Sequence, residues 1–236
     1  MTDILIVTHV DYCPPGHLAR VLDMQQRAFT VVRADLGELE AIDLDRPKAV
    51  AVMGGPMGVN DPLPWIGAEI AALRHFIRRD IPVIGHCLGG QLLAKALGAS
   101  VHRMPYTEIG WQPLSRRDLP EQSPWLAHAP GEFPVFQWHS DTFGLPEDAR
   151  WLLSSPWCPN QGFSWGDKVL ALQGHPEVDE ELVRLWTTDW AHLLDETQPS
   201  QQGRPHMLQD LENRVAAQMR VAEGIYRHWL GLAFGG

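Results

Sequence analysis

Short, continuously apolar runs separated by amphipathic helices confine this chain to an α/β architecture. Residues 4–8 and 49–53 are free of charge, and residues 81–85 are interrupted only by Pro82. Runs of that length without polar alternation fit strands covered on both faces, the condition of a parallel sheet. Residues 29–32 supply a further strand. Residues 14–26 place Leu18, Val21 and Leu22 on one helical face. After Pro62 and Pro64, a second helix carries Ile66, Ile70, Leu73 and Ile77 at helical spacing. Arg74, Arg78 and Arg79 in its last turn suit the negative end of the helix dipole. Residues 88–97 form a third helix, closed by Gly98.

The second half follows a different rhythm. Residues 101–172 are rich in Gly, Pro and Asp and predict short strands joined by turns, an antiparallel extension rather than further βα units. Residues 134–138, 151–154 and 169–173 are its clearest strands. Most of the ten tryptophans fall in this half, and core and rim packing is preferred for them over an aromatic binding box. Beyond it, residues 179–194 predict one helix and residues 197–205 a polar loop. Leu208, Leu211, Val215, Met219, Ala222, Tyr226 and Trp229 then mark a long amphipathic helix. No internal boundary is apparent, so residues 1–236 are expected to form a single domain, with 196–236 as an extra helical segment.

Composition narrows the function. With 44% hydrophobic residues in 236, the chain can bury a core without staples. Its formal charge of −10 disfavours nucleic acid as a partner. No apolar run reaches membrane-spanning length. Residues 1–7 read as a first strand rather than a secretory signal. Three cysteines make no disulfide framework, which points to a reducing, cytoplasmic setting.

One cysteine has chemistry written around it. Gly85-His86-Cys87-Leu88-Gly89 follows a buried strand and opens a helix, the Gly-x-nucleophile-x-Gly elbow with cysteine in the central place. The helix start favours thiolate over thiol at Cys87. It also leaves the Leu88 N–H free for a developing oxyanion. Cys13 and Cys158 have neither context.

A thiolate hydrolase also needs a base and a group that orients it. Gly174-His175-Pro176-Glu177 follows an apolar strand. In extended chain His175 and Glu177 point to the same side and can meet. Both stand at a strand end, where open α/β sheets place their sites. His175, Glu177, His139 and Asp141 are metal-ligand types, but their spacing matches no strong metal motif. A third strand end, Gly54-Gly55-Pro56-Met57-Gly58, offers the Gly55 N–H as a second oxyanion donor; as a phosphate loop it lacks the Lys-Ser/Thr pair.

Met53 to Gly58, Gly85 to Gln91, Trp138-His139-Ser140-Asp141 and Gly174 to Glu177 occur in an order that resembles class I, triad-type glutamine amidotransferases. The likeness is greatest to the stand-alone group similar to the amidotransferase domain of GMP synthase, and it covers about three quarters of the chain. It implies a three-layer α/β/α flavodoxin-like fold with a mostly parallel central sheet, a small antiparallel extension and a helical tail. It implies Cys87 attacking a glutamine side-chain amide to form a γ-glutamyl thioester, with His175 shuttling the proton and Glu177 orienting it. The Gly55 and Leu88 amides would form the oxyanion hole. Gln91 would help hold the substrate, and His139, Ser140 and Asp141 would line its pocket. No cofactor and no metal are implied. His86 departs from the small or apolar residue of many relatives, with a bearing on the pocket, and the long tail lies beyond the resemblance.

Three functions stay open. One is a glutaminase passing ammonia to a synthetase in a separate chain. Another is a free-standing hydrolase or transferase of γ-glutamyl amides or peptides. The third is a non-catalytic regulatory protein on the same scaffold, against which the intact Cys-His-Glu set argues. A homodimer stays open as well.

Overall fold

The computed structural model describes residues 2–117 and 123–235. The apolar runs become strands β1 (Ile4–Thr8), β2 (Phe29–Arg33), β3 (Ala49–Val52) and β4 (Val83–His86). The predicted helices become α1 (Gly16–Met24), α2 (Pro64–Arg78) and α3 (Leu88–Ala96). Two long strands follow, β5 (Val101–Arg116) and β6 (Glu132–Phe143). Three shorter ones come next, β7 (Arg150–Ser154), β8 (Gly162–Trp165) and β9 (Val169–Leu172). Helices α4 (Glu180–Asp189), α5 (Arg204–Leu208) and α6 (Leu211–Phe234) complete the order.

All nine strands join one sheet in the order β2-β1-β3-β4-β9-β8-β7-β5-β6. The four pairings from β2 to β9 are parallel, and the four from β9 to β6 are antiparallel. The antiparallel part is therefore as large as the parallel part, not a small extension of it. The expectation of short strands across 101–172 is corrected too: β5 and β6 pair over most of their lengths. Residues 118–122 of that stretch lie outside the described residues.

Alternation along the central strands sorts side chains to two faces. Leu5, Val7, Val50 and Val52 pack with α2 and α3 on one side. Ile4, Ile6, Ala49 and Ala51 pack with α1 and α6 on the other. The long tail helix is thus docked on its own sheet. Trp229 is fully buried there and donates its indole N–H to the Pro82 carbonyl at 3.1 Å. A third cluster joins α4, α5 and the start of α6 to Ile109, Trp111 and Phe136.

The end of the chain differs in detail from the periodic reading. The predicted helix over 179–194 stops at Asp189 and gives way to a 3-10 turn, Ala191–Leu193. The long helix begins at Leu211, because Asp210 adopts a left-handed φ of 53° and separates it from α5. Among the described residues no helix is long and apolar enough to cross a membrane.

Candidate active site

The parallel strands β3, β4 and β9 end together, and the loops that leave them build one cleft. Cys87 is the residue between β4 and α3. Its φ of 50° and ψ of −108° lie outside the ordinary wells, a strain of about 1–3 kcal/mol that packing must hold. Two close approaches enforce the bend. A Cβ on Gly89 would stand 2.2 Å from the Val52 carbonyl oxygen, and one on Gly85 would stand 2.5 Å from that of Gly89. The elbow therefore needs glycine at both positions for contact reasons. The Cys87 N–H donates to the Leu172 carbonyl at 2.8 Å, tying the turn to β9. Leu88 opens α3, so its N–H has no acceptor within the helix.

The loop after β9 is pinned from two sides. The His175 N–H donates to the Phe136 carbonyl at 2.9 Å, and the His17 N–H at the start of α1 donates to the Glu177 carbonyl at 2.8 Å. His175 Nδ1 and Glu177 Oε1 are 2.8 Å apart, both side chains buried. The route to that contact differs from the extended segment expected. The Val178 N–H donates to the His175 carbonyl at 3.2 Å, so a tight turn brings the pair together.

Electrostatics bind the three groups into a unit. Burial alone would lower the His175 pKa, but the neighbouring Cys87 sulfur and Glu177 carboxylate, with hydrogen bonds to both, raise it to about 10. Burial alone would raise the Glu177 pKa; the His175 and His86 imidazoles outweigh it and hold the carboxyl far below the usual carboxylate range. His86 Nδ1 stands 3.1 Å from Glu177 Oε2, at ion-pair distance but without hydrogen-bond alignment. His86 is fully buried behind the carboxylate and does not line the cleft, contrary to its expected bearing on the pocket. The other two thiols are raised by burial, Cys158 to about 12.

The cleft has a volume of about 570 Å³. Gly55, Leu88, Gln91, His139, Ser140 and Asp141 all line it with Cys87 and His175. Gln91 Nε2 donates to the Asp141 carbonyl and to Gln173 Oε1, both at 3.3 Å. His139 is engaged at both ring nitrogens, 2.9 Å from Glu108 Oε2 and 2.9 Å from the Asp141 carbonyl oxygen. It shapes the wall rather than presenting a free nitrogen.

Glu108, His139 and Cys158 form a buried group with ligand-type atoms within 4.8 Å of one another. The Glu108 carboxylate is already met by His139, by the Ser155 hydroxyl at 2.5 Å and by Gln161 Nε2 at 2.5 Å. That saturation makes it a hydrogen-bonded support for the His139 wall. His175 and Glu177 stand apart from this group.

Two supports escaped the sequence reading. His9, immediately after β1, donates from Nδ1 to the Gly54 carbonyl at 3.0 Å, and its Nε2 stands 3.1 Å from the Glu69 carboxylate. Burial opposes its charge, yet Glu69 raises its pKa, so both nitrogens can donate and fix the Gly54-Gly55 turn. Its signal was its place at a strand's carboxyl end. The second is an aromatic wall of Trp138, Trp186 and Trp190, expected as packing and found lining the cleft.

Comparisons with known proteins agree on the family. The profile described as "Glutamine amidotransferase class-I" matches residues 16–183. A crystal structure of a glutamine amidotransferase from Methylobacillus flagellatus superposes with a TM-score of 0.94 at 34% identity, covering 99% of this chain and 96% of that one. The glutamine amidotransferase-like protein YfeJ of Salmonella typhimurium is 32% identical over 67% of this chain and 70% of its own length. The glutamine-hydrolyzing GMP synthase of Aeropyrum pernix is 32% identical over 57% of this chain, which spans only 25% of that protein.

Proposed function

This chain belongs to the class-I glutamine amidotransferase family, and from that premise we propose that it hydrolyses the side-chain amide of glutamine or a related γ-glutamyl amide. The observation that carries the reading is the meeting of an elbow cysteine with a buried His175–Glu177 pair 2.8 Å apart in one cleft. Cys87 is the nucleophile, and its sulfur attacks the amide carbonyl. The Leu88 and Gly55 amides take the negative charge that develops on the carbonyl oxygen. His175 gives its proton to the leaving nitrogen, the C–N bond breaks, and a γ-glutamyl thioester remains. Water, deprotonated by His175, then cleaves the thioester to glutamate and restores the thiolate. Glu177 keeps the imidazole turned toward Cys87 throughout.

The rim of the cleft suits an α-amino acid. Arg103 and Asp141 face each other in register across β5 and β6, and among the described residues neither makes an ion pair. A substrate α-carboxylate and α-ammonium would complement them, with Gln91, His139 and Ser140 holding the wall in place. Incubating the chain with glutamine and reading ammonia and glutamate tests the proposal: equal amounts of both, absent with Cys87→Ala, are expected. Release that survives Cys87→Ala would refute it.

A further inference from the structure

The leaving-group side of the cleft is the part that plain glutamine does not explain. Since His175 protonates the departing nitrogen, the amine must leave along the His175 side. The His175 ring meets Trp186 edge to face, with centroids 5.0 Å apart. Trp186 stacks on Trp190 at 4.9 Å, and Trp190 meets Trp138 edge to face at 5.2 Å. These rings form a continuous aromatic wall that begins at the catalytic base and runs out along the cleft. Trp186 is fixed in place by its indole N–H, which donates to the Tyr12 carbonyl at 2.9 Å. Trp138 and Trp190 are only partly buried, and Leu193 beside them is 54% exposed.

Size and chemistry point the same way. A volume of about 570 Å³ falls within the roughly 300–1,000 Å³ typical of sites for drug-sized ligands. Glutamine releases ammonia, which has no surface to place against indole rings. The polar pair Arg103 and Asp141 can take the amino-acid end, leaving the wall for whatever the γ-nitrogen carries.

Building on the proposed γ-glutamyl amide hydrolysis, we infer that the preferred substrate is a γ-glutamyl amide whose amine bears an aromatic ring. Attack by Cys87 forms the C–S bond and breaks the C–N bond. The amine leaves with the proton from His175, and water converts the thioester to glutamate. The net reaction is amide plus water to glutamate plus the aromatic amine. An aromatic ring stacked or edged on tryptophan gains about 0.5–1.5 kcal/mol beyond its burial, about two- to twelvefold in kcat/KM, and the burial of the ring adds to that.

The test compares glutamine, γ-glutamylethylamide and γ-glutamylbenzylamide with wild type, Trp190→Ala and Trp190→Phe. Wild type should favour the benzylamide over the ethylamide by about tenfold or more. Trp190→Ala should lower kcat/KM for the benzylamide about tenfold more than for the ethylamide, and Trp190→Phe should retain most of the preference. Benzylamide binding to Cys87→Ala should also perturb tryptophan fluorescence, a readout independent of turnover. Turnover of glutamine with no preference for the benzylamide would overturn this inference alone and leave the wall to packing or to a partner protein. No turnover of any of the three by wild type would overturn the hydrolase reading with it.

Discussion

His86 Nδ1 lies 3.1 Å from Glu177 Oε2, the oxygen that the Glu177–His175 contact leaves unused. The carboxylate is therefore held between two imidazoles, one on the Cys87 side and one behind it. A partly unpartnered buried acceptor costs about 1–3 kcal/mol. Replacing His86 by Leu should lower kcat about tenfold with little change in KM, because Glu177 is loosened rather than the substrate site. His86→Asn keeps a donor and should recover part of the loss. Steady-state kinetics on the two variants decide this.

The pH dependence follows from the two shifted groups. Glu177 is depressed, so its contribution to stability is present above the unfolded carboxyl pKa and is lost only well into acid. His175 is raised to about 10, so its contribution is complete below about 6.5, fades as pH rises, and is gone above about 10. The melting-temperature gap between wild type and His175→Gln should shrink from pH 6.5 to 10. Turnover should fall on the alkaline side with a midpoint near 10, as His175 loses the proton it gives the leaving group.

Removing the Cys87 sulfur should be visible at His175. Cys87→Ala deletes one of the groups that raise the His175 pKa and leaves Glu177 in place. The His175 midpoint, read from imidazole resonances by NMR, should move down from about 10. An unchanged midpoint would mean that the sulfur carries no charge in the resting protein.

Gly89→Ala tests the elbow as a packing constraint. The added methyl would lie 2.2 Å from the Val52 carbonyl oxygen, which is backbone and cannot turn aside. Overpacking of a close-packed core costs about 1–3 kcal/mol, and a backbone clash belongs at the upper end or beyond. Denaturant unfolding should show the loss together with reduced turnover, as α3 shifts away from β3.

Trp229→Ala tests the docked tail. The fully buried side chain leaves a large cavity and takes one of two hydrogen bonds from the Pro82 carbonyl, which keeps that from the Val50 N–H, and such truncations cost about 3–5 kcal/mol. The melting temperature should drop sharply.

The parallel half of the fold and the Cys87, His175 and Glu177 positions were legible because each depends on local pattern. Apolar runs mark β1, β3 and β4, and the glycines around Cys87 report a bend that contact geometry demands. The β5–β6 ribbon was not legible. Pro105, Gly110 and Pro113 read as strand breakers, but the chain absorbs Pro105 in an irregularity between Arg103 and Glu108 and sets Pro113 opposite Pro134. The His175–Glu177 contact was foreseen with the wrong local geometry, since a turn closes it rather than an extended strand. His9 and Glu69 are 60 positions apart and meet only once β1 and α2 pack. Trp186 and Trp190 had helical spacing, which packing alone could explain, until their common contact with the His175 side of the cleft appeared.

The role of Cys87 is tested most directly by reaction with a diazo-ketone analogue of glutamine, followed by peptide mass spectrometry. Cys13 lines the same cleft, but burial raises its thiol and it has no imidazole partner among the described residues, which makes it an internal control. One adduct per chain, on Cys87, with loss of glutamine hydrolysis in step with labelling, is the predicted result. An adduct on Cys13 or Cys158 with Cys87 left free would contradict it.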